Sequence, residues 1–296
     1  MKNIFQKIFL KSSNIALLLI SIFFSLIICE VFIRKFFPQP VGGNFRTFSK
    51  NQDFFINIPN KETFSRFGKY QTTYKTDKNG WRGGVINEKA NFKIVFLGDS
   101  YTFGLYLDYR DTYPYKFFLN LNKKNKSLKN NIGIINASIP ATGVAEWLAY
   151  LQDYGTSFRS EYIILGVNTT SFSRGYNNRL FTIDCSNNSA YRNKIRNPRS
   201  KGYDIISSIF RENFFTNNSE IYFLTRLAIS RLREKYLNRQ KEFIFTYEKL
   251  DKENVLCSAK TYLKEIKAIS KQLNSKLIVL NLGFQENIKN FFSEPT

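Results

Sequence analysis

The chain has 296 residues, 43% of them hydrophobic and 17% aromatic, enough to bury a substantial core in one or two domains. It carries 44 Lys and Arg against 23 Asp and Glu, a formal net charge of +21, and no histidine, so the commonest general base and a common metal ligand are both missing. Cys29, Cys185 and Cys257 lie too far apart for a Cys-x-x-Cys metal or redox motif, and neither a metal nor a cofactor is expected.

Residues 1–11 form a short N-terminal tail carrying Lys2, Lys7 and Lys11. From Ser12 to Cys29 no residue is charged, and the apolar run continues to Arg34 and Lys35 with Glu30 as its one earlier interruption. About 20 apolar residues cross a hydrocarbon core. Residues 12–34 therefore read as a single-pass signal anchor in contact with membrane lipid. A cleaved signal peptide is the competing reading, but no small-x-small site follows the run, and Ile28 precedes Cys29 where a lipoprotein signal has a small residue. Basic residues on both flanks leave the orientation undetermined by charge.

Residues 35–91 read as a juxtamembrane linker and N-terminal extension, opening with the Pro- and Gly-containing "FFPQPVGGN". Within it, "TDKNGWRGG" contains an Asn-Gly turn signal suited to a hairpin. From residue 92 the pattern changes. "FKIVFLG" (92–98), "IGIINA" (132–137), "EYIILGV" (161–167) and "SKLIVLNLG" (275–283) are short apolar runs, as expected of parallel strands buried on both faces. Residues 111–123, 143–155 and 258–274 carry apolar residues at helical spacing, so 92–296 reads as a doubly wound α/β sheet. Residues 172–257 exceed a simple crossover and form an insertion over one end of the sheet. It holds a helix near 219–240, with Ile221, Leu224, Leu227, Ala228 and Leu232 on one face.

The first apolar run ends in "IVFLGDSYTFG" (94–104), which sets Ser100 directly after the first strand. Either Asp99 or Ser100 caps the following helix, or Ser100 is a nucleophile presented where open α/β sheets bind ligands.

"FLGDSYTFG" followed by "RDTYP" resembles the first block of the SGNH/GDSL hydrolases, particularly their membrane-anchored bacterial members. "INASIPATG" occupies the place of the second block, and "LGVNTTS" supplies Gly166 and Asn168 of the third. The anchor ending in Glu then Arg and the "KNGWRGG" ahead of the first strand are similar too. The resemblance implies an α/β fold with a three-layer flavodoxin-like parallel sheet, here C-terminally incomplete and preceded by one transmembrane helix. It makes Ser100 the nucleophile on a turn shared with Asp99. Its oxyanion donors would be the Ser100 and Ala141 backbone N–H groups and the Asn168 side-chain amide.

Ala141 stands where the family has glycine, with Gly143 two residues further on, and is strained if the backbone there needs positive φ. Thr169 replaces the Asp that follows the third-block Asn. The family's Asp-x-x-His block has no counterpart, so this chain is either a shortened hydrolase or a non-catalytic relative.

The expected function is a membrane-anchored, exported ester hydrolase or O-acyltransferase, weak or inactive without its histidine. Its substrate would be an acyl or acetyl ester, for example of a surface glycan. The alternative is a non-catalytic glycan- or lipid-binding protein. The anchor and the lack of a nucleic-acid motif argue against a nucleic-acid partner. Basic clusters at Lys123–Lys129, Arg192–Lys201 and Arg226–Lys241 would face anionic headgroups or acidic glycans, or simply solvent. In an oxidising compartment Cys185 and Cys257 could pair, given Cα atoms within about 7 Å.

Overall fold

The computed structural model describes residues 2–39, 43, 45–51, 53–67, 70–124, 131–178, 180–193, 219–237 and 252–283. In chain order its elements are α1 (Lys2–Phe36), β1 (Arg46–Phe48), β2 (Phe55–Asn57), β3 (Glu62–Phe67), β4 (Tyr70–Lys75), β5 (Val85–Ile86), β6 (Phe92–Gly98), α2 (Ser100–Phe103) and α3 (Tyr113–Lys124). There follow β7 (Ile132–Asn136), α4 (Val144–Tyr154), β8 (Tyr162–Val167), α5 (Thr169–Asn177), β9 (Phe181–Asp184), β10 (Ser189–Arg192), α6 (Glu220–Leu237), α7 (Lys252–Gln272) and β11 (Lys276–Asn281). The chain divides into two compact units, one of Met1–Gly42, Arg66–Gln71 and Lys201–Ile244, the other of Gly43–Ser65, Thr72–Ser200 and Phe245–Thr296.

The larger unit is mixed α/β. Its five-stranded sheet has the order β11-β8-β6-β7-β5. β6, β7, β8 and β11 run parallel, and β5 closes one edge antiparallel to β7. The strands alternate their side chains between two cores. Val95, Leu97, Ile135, Ile163 and Leu165 pack with Trp147 and Leu148 of α4 and Tyr262 and Ile266 of α7. Ile94, Phe96, Ile132, Ile134 and Ile164 pack on the opposite face, against Tyr113, Phe118 and Leu121 of α3. Both faces of the central strands are covered, which is why they read as unbroken apolar runs.

Residues that precede the first long strand also belong to this unit. Phe54 and Trp81 join the larger core, and Phe45, Tyr74 and Phe103 form a separate buried aromatic cluster. β1 with β2 and β9 with β10 make antiparallel pairs. Cys185, just past β9, is disulfide-bonded to Cys257 of α7, with Cα atoms 5.8 Å apart. At the far edge of the sheet β11 exposes Ile278, Val279 and Leu280.

In the smaller unit α1 contains Asn14–Phe36, the one described helix long and apolar enough to cross a membrane. The helix expected near 219–240 is α6. Within the insertion, 179, 194–218 and 238–251 lie outside the described residues, as do parts of all three basic clusters.

The disulfide closes a long loop, so its loss should destabilise the larger unit by about 2–4 kcal/mol. Urea denaturation of the full chain in detergent should show this drop for Cys257→Ser, and the same drop for the wild type under reductant.

Candidate active site

The site is built where β6, β7 and β8 end. Gly98 and Gly166 face each other across β6 and β8. A Cβ on Gly98 would stand 2.0 Å from Thr102 Oγ1, and one on Gly166 would stand 2.4 Å from the same atom. Both glycines therefore make room for Thr102, whose hydroxyl accepts a 2.9 Å hydrogen bond from Tyr113 Oη. The second block runs alongside, with Ile139 N–H donating to Gly98 O at 2.9 Å. Asn136 Nδ2 donates to Thr102 O at 3.0 Å.

Asp99 is fully buried and caps the four-residue α2, accepting the Tyr101 N–H at 2.9 Å. Ser100 is half-buried at the first position of that helix. Among the described residues its hydroxyl has no hydrogen-bond partner. Gly104, at φ +77°, closes the turn by donating its N–H to Ser100 O. Capping thus falls to Asp99, and Ser100 is left at the carboxyl end of β6.

Asn168 is buried and caps α5, its Oδ1 accepting from Ser171 N–H at 3.1 Å and Thr170 Oγ1 at 2.7 Å. Its Nδ2 donates to Asp99 Oδ2 at 2.8 Å. An amide nitrogen carries two hydrogens, and the second has no partner among the described residues. Arg174 of α5 brings Nη1 to 3.5 Å from the same carboxylate oxygen. The Asp99 carboxylate thereby joins the serine turn to the start of α5.

The loop of the second block is strained where the sequence departs from glycine. Ala141 sits at φ +60°, exposed, and its N–H has no partner among the described residues. Gly143 is extended instead, with φ −131°, and is glycine for space. A Cβ there would meet Ser171 O at 2.5 Å and Arg174 Cβ at 2.9 Å. The Gly143 N–H is committed to Glu146 Oε2 at 2.9 Å. Burial pushes the Glu146 carboxyl up to about 7, despite that N–H and the nearby Arg174.

Arg82 of the "NGWRGG" stretch closes the site from behind. It is buried, and it donates to the carbonyls of Phe103, Gly104 and Leu107, the chain leaving α2. Its guanidinium lies 4.8 Å from the Tyr74 ring centroid and 4.6 Å from that of Phe103. Desolvation pulls its pKa down to about 10. Arg82, Arg174 and Glu146 were not among the residues singled out from the sequence. The Arg in the "KNGWRGG" stretch was the one available signal.

No family model and no curated protein matches this chain. Among solved structures, the crystal structure of TesA aligns with 62% of this chain and 76% of that one, at 12% identity and a TM-score of 0.27. A likeness of that size carries no argument about fold or activity.

Two measurements follow from the second block. Ala141→Gly should stabilise the protein by about 1 kcal/mol in urea denaturation, because it relieves a left-handed alanine. Glu146 holds its proton more tightly folded than unfolded, so the folded state binds more protons between the ordinary value of 4.5 and about 7. Stability should therefore fall as pH rises through that window, by on the order of 3 kcal/mol. Thermal denaturation at successive pH values should show the fall in the wild type and its loss in Glu146→Gln.

Proposed function

We propose that the larger unit is a flavodoxin-like, SGNH-type domain in which Ser100 attacks acyl esters, carried on a membrane anchor formed by α1. The observation that carries this reading is the Asp99 clamp. One buried carboxylate caps the serine turn and holds the amide of Asn168 at 2.8 Å. Three donors then serve a developing oxyanion: the Ser100 N–H, the Ala141 N–H and the second hydrogen of Asn168 Nδ2. Donors of this kind stabilise the tetrahedral oxyanion by about 3–4 kcal/mol each when preorganised.

The attacking hydroxyl must also lose its proton. The chain holds no histidine, and no described side chain hydrogen-bonds Ser100. Asp99 is engaged with three donors. A serine site lacking its base keeps on the order of a thousandfold acceleration over water. The proposed protein therefore forms acyl-enzyme slowly, the ester bond of an acyl or acetyl ester such as one on a surface glycan breaking and its alcohol leaving with a proton as the serine hydroxyl gives up its own. It then passes the acyl group to water or a hydroxyl. The Cys185–Cys257 disulfide favours an oxidising, exported location for this unit. A second reading, a non-catalytic glycan- or lipid-binding protein, is favoured by the missing base and by the commitment of Gly143 N–H to Glu146.

An activated aryl phosphonate distinguishes the two. The esterase reading expects slow covalent labelling of Ser100, seen by mass spectrometry and absent in Ser100→Ala, with aryl acetate hydrolysis barely above background. Folded protein that never labels would leave only the binding reading. Rapid turnover dependent on Ser100 would show that another residue acts as the base.

A further inference from the structure

Glu30 lies inside the apolar Asn14–Phe36 stretch, where an uncompensated carboxylate would be costly in a bilayer. It is compensated from two directions. Arg34, one turn further along α1, donates to Oε1 at 2.9 Å. The start of α6 and the residue before it supply the rest: Glu220 N–H donates to Oε1 at 2.8 Å, Ile221 N–H to Oε2 at 3.1 Å and Ser219 Oγ to Oε2 at 3.0 Å. These are N–H groups that a helix start leaves without intrahelical partners, at the positive end of its dipole.

The junction is reinforced by Glu220. Its buried carboxylate accepts the Gln39 N–H at 2.7 Å and an ion pair from Arg66. Arg66 Nη2 also donates to Gln39 O at 3.1 Å. The start of α6 is thus bound to the end of α1 by charge-assisted hydrogen bonds, which are about twice as strong as neutral ones.

Beyond that junction α6 does not bury its apolar side chains. Leu224, Leu227, Ile229 and Leu232 are 42%, 37%, 59% and 54% exposed. At about 3.6 residues per turn Leu224, Leu227 and Leu232 share one face with Ala228, and Ile229 stands at its margin beyond Leu232. A water-facing helix would gain nothing from such an arc, and exposed apolar patches of this kind mark interaction surfaces. It starts beside Glu30 of α1, whose Leu17, Leu18, Phe23, Phe24 and Ile28 are likewise exposed.

We infer that α6 is seated in the same bilayer as α1, fixed at its N-terminus by Glu30, with its Leu and Ile arc against acyl chains. Arg226 lies opposite the Leu face and Arg231 within it, between Leu227 and Leu224; both are exposed, and each long side chain extends its charged end to anionic headgroups, as basic side chains do at a membrane boundary. Membrane attachment is then a two-helix platform. The inference rests on α1 entering a bilayer.

The test uses the full chain in vesicles of phosphatidylcholine and phosphatidylglycerol, with Cys29→Ser to remove the free thiol. An environment-sensitive fluorophore is placed at Leu232→Cys, Ile229→Cys, Ile22→Cys in the anchor or Tyr191→Cys on β10. Lipids brominated on their acyl chains should quench the Leu232 and Ile229 probes about as strongly as the Ile22 probe, and aqueous iodide should quench the Tyr191 probe alone. Dilution of the protein in lipid should leave this pattern unchanged. Iodide quenching at 229 and 232 with acyl-chain quenching at 22 overturns the inference and keeps the anchor. Protection at 229 and 232 that disappears on dilution in lipid also overturns it, since a second copy then covers the arc. Absence of acyl-chain quenching at 22 overturns both.

Discussion

A buried carboxylate holds this site together. Asp99 has no contact with water, so its charge is tolerable only while donors surround it. Those donors come from three places: the turn it caps, the Asn168 amide and the Arg174 guanidinium. Each brings an element with it. The cap fixes the direction of α2, the amide fixes the start of α5, and the arginine holds the next turns of α5 beside them. Any shift of β6 against β8 would separate the carboxylate from its amide partner. Gly98 opposite Gly166 and Thr102 wedged over both keep that register.

A second buried charge supports the same turn from its other end. Arg82 fills the acceptors that α2 leaves open and spreads its charge over two aromatic faces. Asp99 and Arg82 thus hold the two ends of a helix only four residues long, which has almost no stability of its own. Ser100 is thereby held in place without a long helix behind it. Among the described residues no side chain hydrogen-bonds the Ser100 hydroxyl. The Glu146 carboxyl, pushed up to about 7 by burial, is spent on the Gly143 N–H.

The central strands were legible because burial on both faces leaves a continuous apolar run, and 92–98, 132–136, 162–167 and 276–281 fall within or at the limits expected. β5 was not, since two residues, Val85 and Ile86, carry no periodicity. The β9–β10 hairpin is four residues a side around an Asn-rich turn, too short to stand out from its polar surroundings. α7 begins at Lys252, six residues before the expected 258, because its first turn is polar. Resemblance pointed to Ser100, Asp99, Ala141, Gly143 and Asn168. The reasons that Ala141 is strained and Gly143 is small came from backbone angles and from the approach of α5. Arg174 looks like an ordinary helix-surface charge in the sequence, and only packing brings it to Asp99, whereas Glu146 reaches Gly143 locally, as the third residue of the helix that Gly143 caps.

The central claim is that the Asp99 clamp aims the Asn168 amide and the second-block loop at an oxyanion formed on Ser100. A crystal structure of the chain after reaction with an aryl phosphonate tests it most directly. The account predicts phosphorus bonded to Ser100 Oγ, with one phosphonyl oxygen within hydrogen-bond distance of Ala141 N–H and Asn168 Nδ2, and Nδ2 still bonded to Asp99. A Ser100 adduct whose oxygens face solvent, with Asn168 bonded only to Asp99 and its own helix, would contradict it.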